Sequence, residues 1–159
     1  CNQDHFIFSG TIFENITFFQ KRVEIDYEKL NKVIDICEIG AIINKKGEDG
    51  NFNLLEGGSN LSKGEKQRIN LARALYYQPE FLILDEPLSN VEKFLEEKIV
   101  LKIFSYAKEL NSTLVIISHS IKSLIKADQI IIIEAGSLMD AGSHDDLIKK
   151  NDFYKKNYI

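Results

Sequence analysis

The chain has only two cysteines, Cys1 and Cys37, and no C-x-x-C spacing. That argues against a disulfide framework or a zinc site and fits a reducing setting. Long hydrophobic runs are missing too. Stretches such as Leu114–Ile117 and Ile130–Ile133 are far too short to cross a bilayer. The N-terminal residues are polar and then aromatic, which is no signal-peptide pattern. Positive charge is not in excess, since the formal net charge is -4, so nucleic acid is not an expected partner. There are no repeats and no low-complexity linker. Nor does any G-x-x-x-x-G-K-[ST] run occur, so no glycine-rich loop is present to cradle a triphosphate. The first residue is Cys1 rather than Met, and the opening residues read as the middle of a pattern. The expectation is a piece of a longer protein.

What remains is one domain's worth of ordinary material. The 159 residues, 44% hydrophobic and 28% charged, can bury a real core. A short aromatic segment at Asp4–Phe8 leads to a turn at Ser9-Gly10 and a helical turn or short helix over Thr11–Phe19. Tyr27, Leu30, Val33, Ile34 and Cys37 recur at helical spacing, predicting a helix over Asp26–Ile39 with Asp26 as its cap. Lys45–Gly58, rich in Gly, Asn and acids, reads as loop. Lys63–Tyr77 reads as a helix that Pro79 ends. Ser62 and Glu65 form an S-x-x-E capping box at its start.

Beyond Pro79 the pattern changes. Phe81–Leu84 and Leu114–Ile117 read as buried strands. A long helix over Val91–Leu110, capped by Ser89 or Asn90, separates them. A short helix over Ser120–Ala127 follows. Gln129–Glu134 and Ser137–Met139 read as strands joined at Ala135-Gly136. Ser143 caps a helix over His144–Lys150, and Asn151–Ile159 is a polar, aromatic tail. Apolar strands alternating with helices predict an α/β fold with a mostly parallel sheet covered on both faces. The part before Leu61 reads as a helical lobe without such strands.

Three places carry chemistry. Asp85 closes an apolar strand, where ligands gather in open α/β sheets. A carboxylate there suits Mg²⁺, which prefers oxygen ligands and keeps several waters. Glu86 can point at a water that attacks a terminal phosphate. His119 closes the neighbouring strand. Parallel strands lie about 4.8 Å apart, so its imidazole reaches the same crevice. Ser62 and Gly64 stand at a helix N-terminus, where free N–H groups favour an anion and glycine lets it approach the backbone. Each has a plain structural reading beside it: an acidic loop start, an exposed turn histidine, an ordinary capped helix. His144-Asp145-Asp146 reads as acids facing a helix dipole rather than as a metal cluster.

Taken in order, these residues resemble the nucleotide-binding domain of ATP-binding cassette (ABC) transporters. Gln3-Asp4 is similar to the Q-loop. Gly58-Ser59-Asn60-Leu61-Ser62-Lys63-Gly64-Glu65 is similar to the L-S-G-G-Q signature. Phe81–Glu86 resembles the Walker B strand with its glutamate. Ser89-Asn90-Val91-Glu92 falls at the D-loop and His119 at the H-loop. Gly142–Leu147 matches a closing G-x-H-x-x-L. Phe8–Ile16 resembles the F-x-G-T-I-x-x-N-I segment of exporter-type domains, and Glu56-Gly57-Gly58 their cross-talk loop.

The resemblance implies a P-loop NTPase-like ABC ATPase fragment with a helical subdomain. Residues 1–60 would hold the Q-loop and that subdomain. Residues 61–159 would hold the signature helix and the Walker B and H-loop part of the core, together one partial domain. It implies ATP and Mg²⁺ as ligands. Asp85 would hold Mg²⁺, and Gln3 would touch Mg²⁺ or the attacking water. Glu86 would polarise that water, and His119 would contact the γ-phosphate. Ser62, Lys63, Gly64 and Glu65, with Ser89 and Asn90, would meet ATP at the boundary with a second nucleotide-binding domain in a head-to-tail dimer. The coupling helices of a transmembrane domain would dock near Phe6, Phe8, Phe13 and Thr11–Phe19, at the cytoplasmic face of a membrane. The implied function is ATP hydrolysis powering export.

Lys63 and Glu65 depart from the usual glycine and glutamine with charges that roughly offset. Val91 and Glu92 depart from the D-loop pattern. The missing phosphate loop implies that these residues alone bind ATP poorly and do not turn it over. Missing sheet strands imply exposed edges and poor solubility. Two other readings stand beside this one: an ABC-type ATPase of DNA repair or chromosome maintenance, and a non-catalytic interaction module. The first would need coiled-coil arms in place of Asp4–Gly58, where no heptads run.

Overall fold

The computed structural model describes residues 6–46 and 51–158. Gly10–Thr11 forms a short strand, β1, and Ile12–Thr17 a helix, α1, opened by a reciprocal capping box between Thr11 and Glu14. Tyr27–Ile36 is α2, with Asp26 accepting from the Lys29 amide as its cap, as the spacing predicts. Gly40–Lys46 is α3, Asn53–Leu54 is β2, and a 3-10 turn covers Glu56–Gly58. The segment expected as loop over Lys45–Gly58 thus includes the end of α3, the strand β2 and this 3-10 turn. β2 pairs antiparallel with β1, so the helical lobe does hold strands, though only two residues long. Their brevity leaves no alternation to read in the sequence.

Lys63–Tyr76 is α4, and its capping box is complete: Ser62 accepts from the Glu65 amide while Glu65 accepts from the Ser62 amide. Phe81–Asp85 is β3, Lys93–Glu109 is α5 and Thr113–Ile117 is β4. Ile121–Leu124 is α6. Ile130–Glu134 and Ser137–Gly142 are β5 and β6. They pair antiparallel across the two-residue turn Ala135-Gly136, where both φ angles are positive, as the tightest hairpins require. His144–Lys150 is α7, capped by Ser143. The polar, aromatic tail carries a helix, α8, over Asp152–Tyr158; Tyr154 is buried and its hydroxyl lies 2.9 Å from His144 Nδ1. The expected cap of the long helix moves as well. Glu92 is the N-cap of α5, because Ser89 and Asn90 are held elsewhere.

The fold is α/β. Among the described residues its strands form three two-stranded sheets, of which β3–β4 is parallel. One large core joins α1, α2, α4 and α5, with Ile12, Ile16, Leu30, Val33, Ile69, Ala72, Ile99 and Ile103 sealed inside. Leu84 is buried against it, and Leu82, Leu114 and Ile116 pack on it. Their strand neighbours Phe81, Ile83, Val115 and Ile117 point the other way and are exposed. The strands expected to be covered on both faces are thus covered on one, as period-two geometry gives when only one layer packs on a sheet. A smaller core of Ile130, Leu147 and Tyr154 ties the hairpin to α7 and α8.

Candidate functional site

β3 and β4 run parallel with Asp85 level with Ile117. Both strands therefore end together. The chain past β3 is stitched to β4 by a bond from the Glu86 amide to the Ile117 carbonyl at 2.9 Å. Glu86 sits at φ 44, a left-handed conformation that a residue with a Cβ rarely adopts. Its carboxylate Oε1 lies 2.7 Å from His119 Nε2. His119 is almost wholly exposed, at 94% of its side chain, so this pair is open to a ligand. Asp85 is exposed one residue earlier. Among the described residues its carboxylate has neither a hydrogen bond nor an ion pair to another side chain.

Ser62 lies at the exposed start of α4. Its Oγ accepts from the Glu65 amide at 3.2 Å, and its own amide donates to Glu65 Oε2 at 2.7 Å. Lys63 is exposed beside it. Glu65, in contrast, is buried. Burial raises its pKa, but hydrogen bonds from Ser62 and the charges of Lys45 and Lys46 outweigh that and hold it below the ordinary value. Its negative charge is thus spent on the cap and on Lys45, 3.7 Å away. Gly64 faces the chain that follows β3: a Cβ there would lie 2.7 Å from the Asn90 carbonyl oxygen, a distance that leaves no room for alanine.

The structure puts Glu86 and His119 in contact just past the ends of β3 and β4, with Asp85 the last residue of β3, and presents Ser62 and Lys63 at a separate exposed helix start. Gln3 lies outside the described residues. Ser89 and Asn90 follow Glu86 in a turn, with the Ser89 amide bonded to the Glu86 carbonyl at 3.3 Å; both residues are exposed.

Two polar groups that sequence reasoning assigned no role are prominent. Gln67, one turn into α4, is 2% exposed and reaches Ser89 and Asn90. Asn15 is fully buried with both ends of its side chain engaged. Its side-chain amide donates to the Phe8 and Thr11 carbonyls, and its side-chain oxygen accepts from the Phe8 amide and from Arg73. Arg73 also binds the Asn15 and Phe6 carbonyls and Asn70, so α4 holds the aromatic segment in place. The available signal is the position of Gln67 and Arg73 among the apolar residues of one helix, where an unpartnered polar group would be costly.

The sequence model of the family described as "ABC transporter" matches residues 1–89. The chain is 37% identical over 157 residues to the multidrug resistance-like ATP-binding protein MdlB of Buchnera aphidicola. It is 39% identical over 153 residues to a putative export ATP-binding/permease protein of Rickettsia typhi. These alignments cover 98% and 96% of the chain and 26% of each relative; the chain spans about a quarter of their length. Its fold superposes on a bacterial Atm1-family ABC exporter solved with ATP bound, at a TM-score of 0.81 and 25% identity, over 98% of this chain and 27% of that one. Motif order, strand-end geometry and these relatives agree: the chain belongs to the ABC transporter family.

Proposed function

We propose that the chain is the carboxyl-terminal part of the ATP-binding domain of an exporter, and that it contributes to ATP hydrolysis driving export across a membrane. The observation that carries this is the Glu86–His119 pair, 2.7 Å apart at the tips of adjacent parallel strands. In this reading Glu86 orients and polarises the attacking water. His119, exposed beside it, hydrogen-bonds the γ-phosphate. Ser62 and the amides at the start of α4 meet the triphosphate held by a second nucleotide-binding domain, in a head-to-tail pair. Lys63 places an extra cation there. Gln3 acts from the segment that precedes the aromatic cluster.

Mg²⁺ fits the donors present. Asp85 offers one exposed carboxylate free of side-chain partners among the described residues, and a single carboxylate with waters and substrate phosphates is how this ion is usually held. When bound, it would neutralise charge developing on the phosphates. Asp85 would orient it; Glu86 would keep its own carboxylate for the water.

Among the described residues no helix is long and apolar enough to cross a membrane. In this reading the chain works at the cytoplasmic face and couples to transmembrane segments through Phe6, Phe8, Phe13 and α1. Relatives described as export and multidrug resistance-like proteins support the exporter subtype. With no phosphate-cradling loop in the sequence, the 159 residues by themselves do not turn over ATP. The test is ATPase activity of the whole protein that carries this chain. Glu86→Gln should lower kcat by about 100-fold or more while nucleotide binding persists. A Glu86→Gln protein that hydrolyses ATP at the unaltered rate removes the proposal.

A further inference from the structure

Resting on that reading, the geometry points to Gln67 as a positioning residue for Glu86: its buried side-chain amide fastens the 89–90 turn to the helix whose start carries Ser62. Gln67 uses both ends of its amide. Nε2 donates to Ser89 Oγ at 3.0 Å, and Oε1 accepts from the Asn90 backbone amide at 2.9 Å. The residue is 2% exposed, so water does not replace either bond. One turn earlier Gly64 lets α4 approach the same turn, since a Cβ there would stand 2.7 Å from the Asn90 carbonyl oxygen and 3.3 Å from Val91. The turn is therefore gripped from two successive levels of one helix.

The grip matters because of what the turn holds. Glu86 has φ 44, a conformation that persists only where its surroundings fix it. Two backbone bonds do so: the Glu86 amide to the Ile117 carbonyl at 2.9 Å and the Ser89 amide to the Glu86 carbonyl at 3.3 Å. The first belongs to β4. The second depends on where Ser89 sits, and Gln67 fixes Ser89. A path thus runs from Ser62 through Gln67 and Ser89 to Glu86, along one rigid helix and one hydrogen-bonded turn. It gives the exposed helix start, proposed above to meet a second subunit's nucleotide, a physical means of biasing the carboxylate beside its own.

The experiment uses the whole protein that carries this chain, with ATPase kinetics, nucleotide affinity and thermal unfolding measured together. Gln67→Met keeps the shape and removes both bonds. It should lower kcat by about tenfold or more with the KM for ATP within about twofold, the pattern of a misplaced reacting group rather than of weakened nucleotide binding. Gln67→Glu keeps an acceptor for the Asn90 amide but offers no donor to Ser89, and should fall between. It also stands in if the methionine variant does not accumulate. Leu75→Val, a buried change on the same helix away from the turn, supplies a matched drop in thermal stability and should keep kcat within about twofold. An unchanged kcat in Gln67→Met and Gln67→Glu, or a reduction no greater than that of Leu75→Val at equal stability, overturns the role of Gln67. Glu86→Gln run alongside separates the two ideas: if it leaves hydrolysis intact, the ATPase reading fails first.

Discussion

Ile69 on α4 and Ile83 on β3 are the same side chain in neighbouring elements, yet Ile69 is 0% exposed and Ile83 is 59% exposed. The contrast extends to the regions around them. Residues of α1, α2, α4 and α5 interlock around one core with Ile12, Val33, Ile69 and Ile103 fully sealed. The strands from β3 onward turn many of their apolar residues outward: Phe81, Ile83, Val115 and Ile117 on the parallel pair, and Ile131, Ile133, Leu138 and Met139 on the hairpin. The helical region holds most of the sealed side chains, although Phe94 and Leu101 on α5 stay exposed and Leu82, Leu84, Leu114 and Ile116 of the strands help close the core. The strand region has one packed face and one open one. Stability therefore resides with the helices, while the proposed chemistry stands at the ends of strands that the helices support from one side.

The largest test of that contrast is Ile69→Ala. Removing a sealed side chain should cost about 2–5 kcal/mol through the transfer energy forgone and the cavity left behind. Chemical denaturation of the chain reads it directly. A cost below about 1 kcal/mol would show that the helical core is looser than the complete burial of Ile69 implies.

The helical region is legible in the sequence where caps and periodicity coincide. Asp26 with the Tyr27–Cys37 spacing marks α2, and Ser62 with Glu65 marks the start of α4 to the residue. Asp85 and Glu86 on one strand end and His119 beyond the next are legible too, because a continuous apolar strand followed by polar residues marks its own terminus. Coverage is not. A run such as Phe81–Leu84 carries the same letters whether one face or two are packed, so Phe81 and Ile83 read as buried although both are exposed. β1 and β2 escape because two-residue strands have no period, and α8 is anchored mainly by Tyr154 on His144 and the hairpin core. The role of Gln67 is hidden because its partners, Ser89 and Asn90, are distant in sequence.

A middle-sized effect should come from the cap at the exposed start of α4. Ser62→Ala removes the acceptor for the Glu65 amide and should cost about 1 kcal/mol. Glu65 adds a pH signature. Burial alone would raise its pKa, but Ser62, Lys45 and Lys46 hold the folded value below the ordinary one. Its contribution is therefore full above the unfolded carboxylate value and fades as pH falls through the lowered one. Denaturation at neutral and acidic pH should show the penalty of Ser62→Ala shrinking in acid. A penalty independent of pH would separate the hydroxyl from the carboxylate and break the reciprocal cap into two unrelated bonds.

The smallest expected effect lies on the open strand face, and it sharpens the comparison with the least perturbation. Ile133 on β5 is 69% exposed, so Ile133→Thr removes little buried area and keeps a β-branched side chain suited to a strand. Stability should change by less than about 0.5 kcal/mol. Self-association should change far more, because Ile131, Ile133, Leu138 and Met139 are exposed apolar residues on one hairpin, the kind of surface that drives aggregation. Light scattering during slow heating should show a later onset for Ile133→Thr than for the unaltered chain at the same unfolding midpoint. If the midpoint drops by the amount expected of a core substitution instead, the hairpin face is packed in solution. The division between a core-bearing helical region and a half-covered strand region would then not hold for the hairpin.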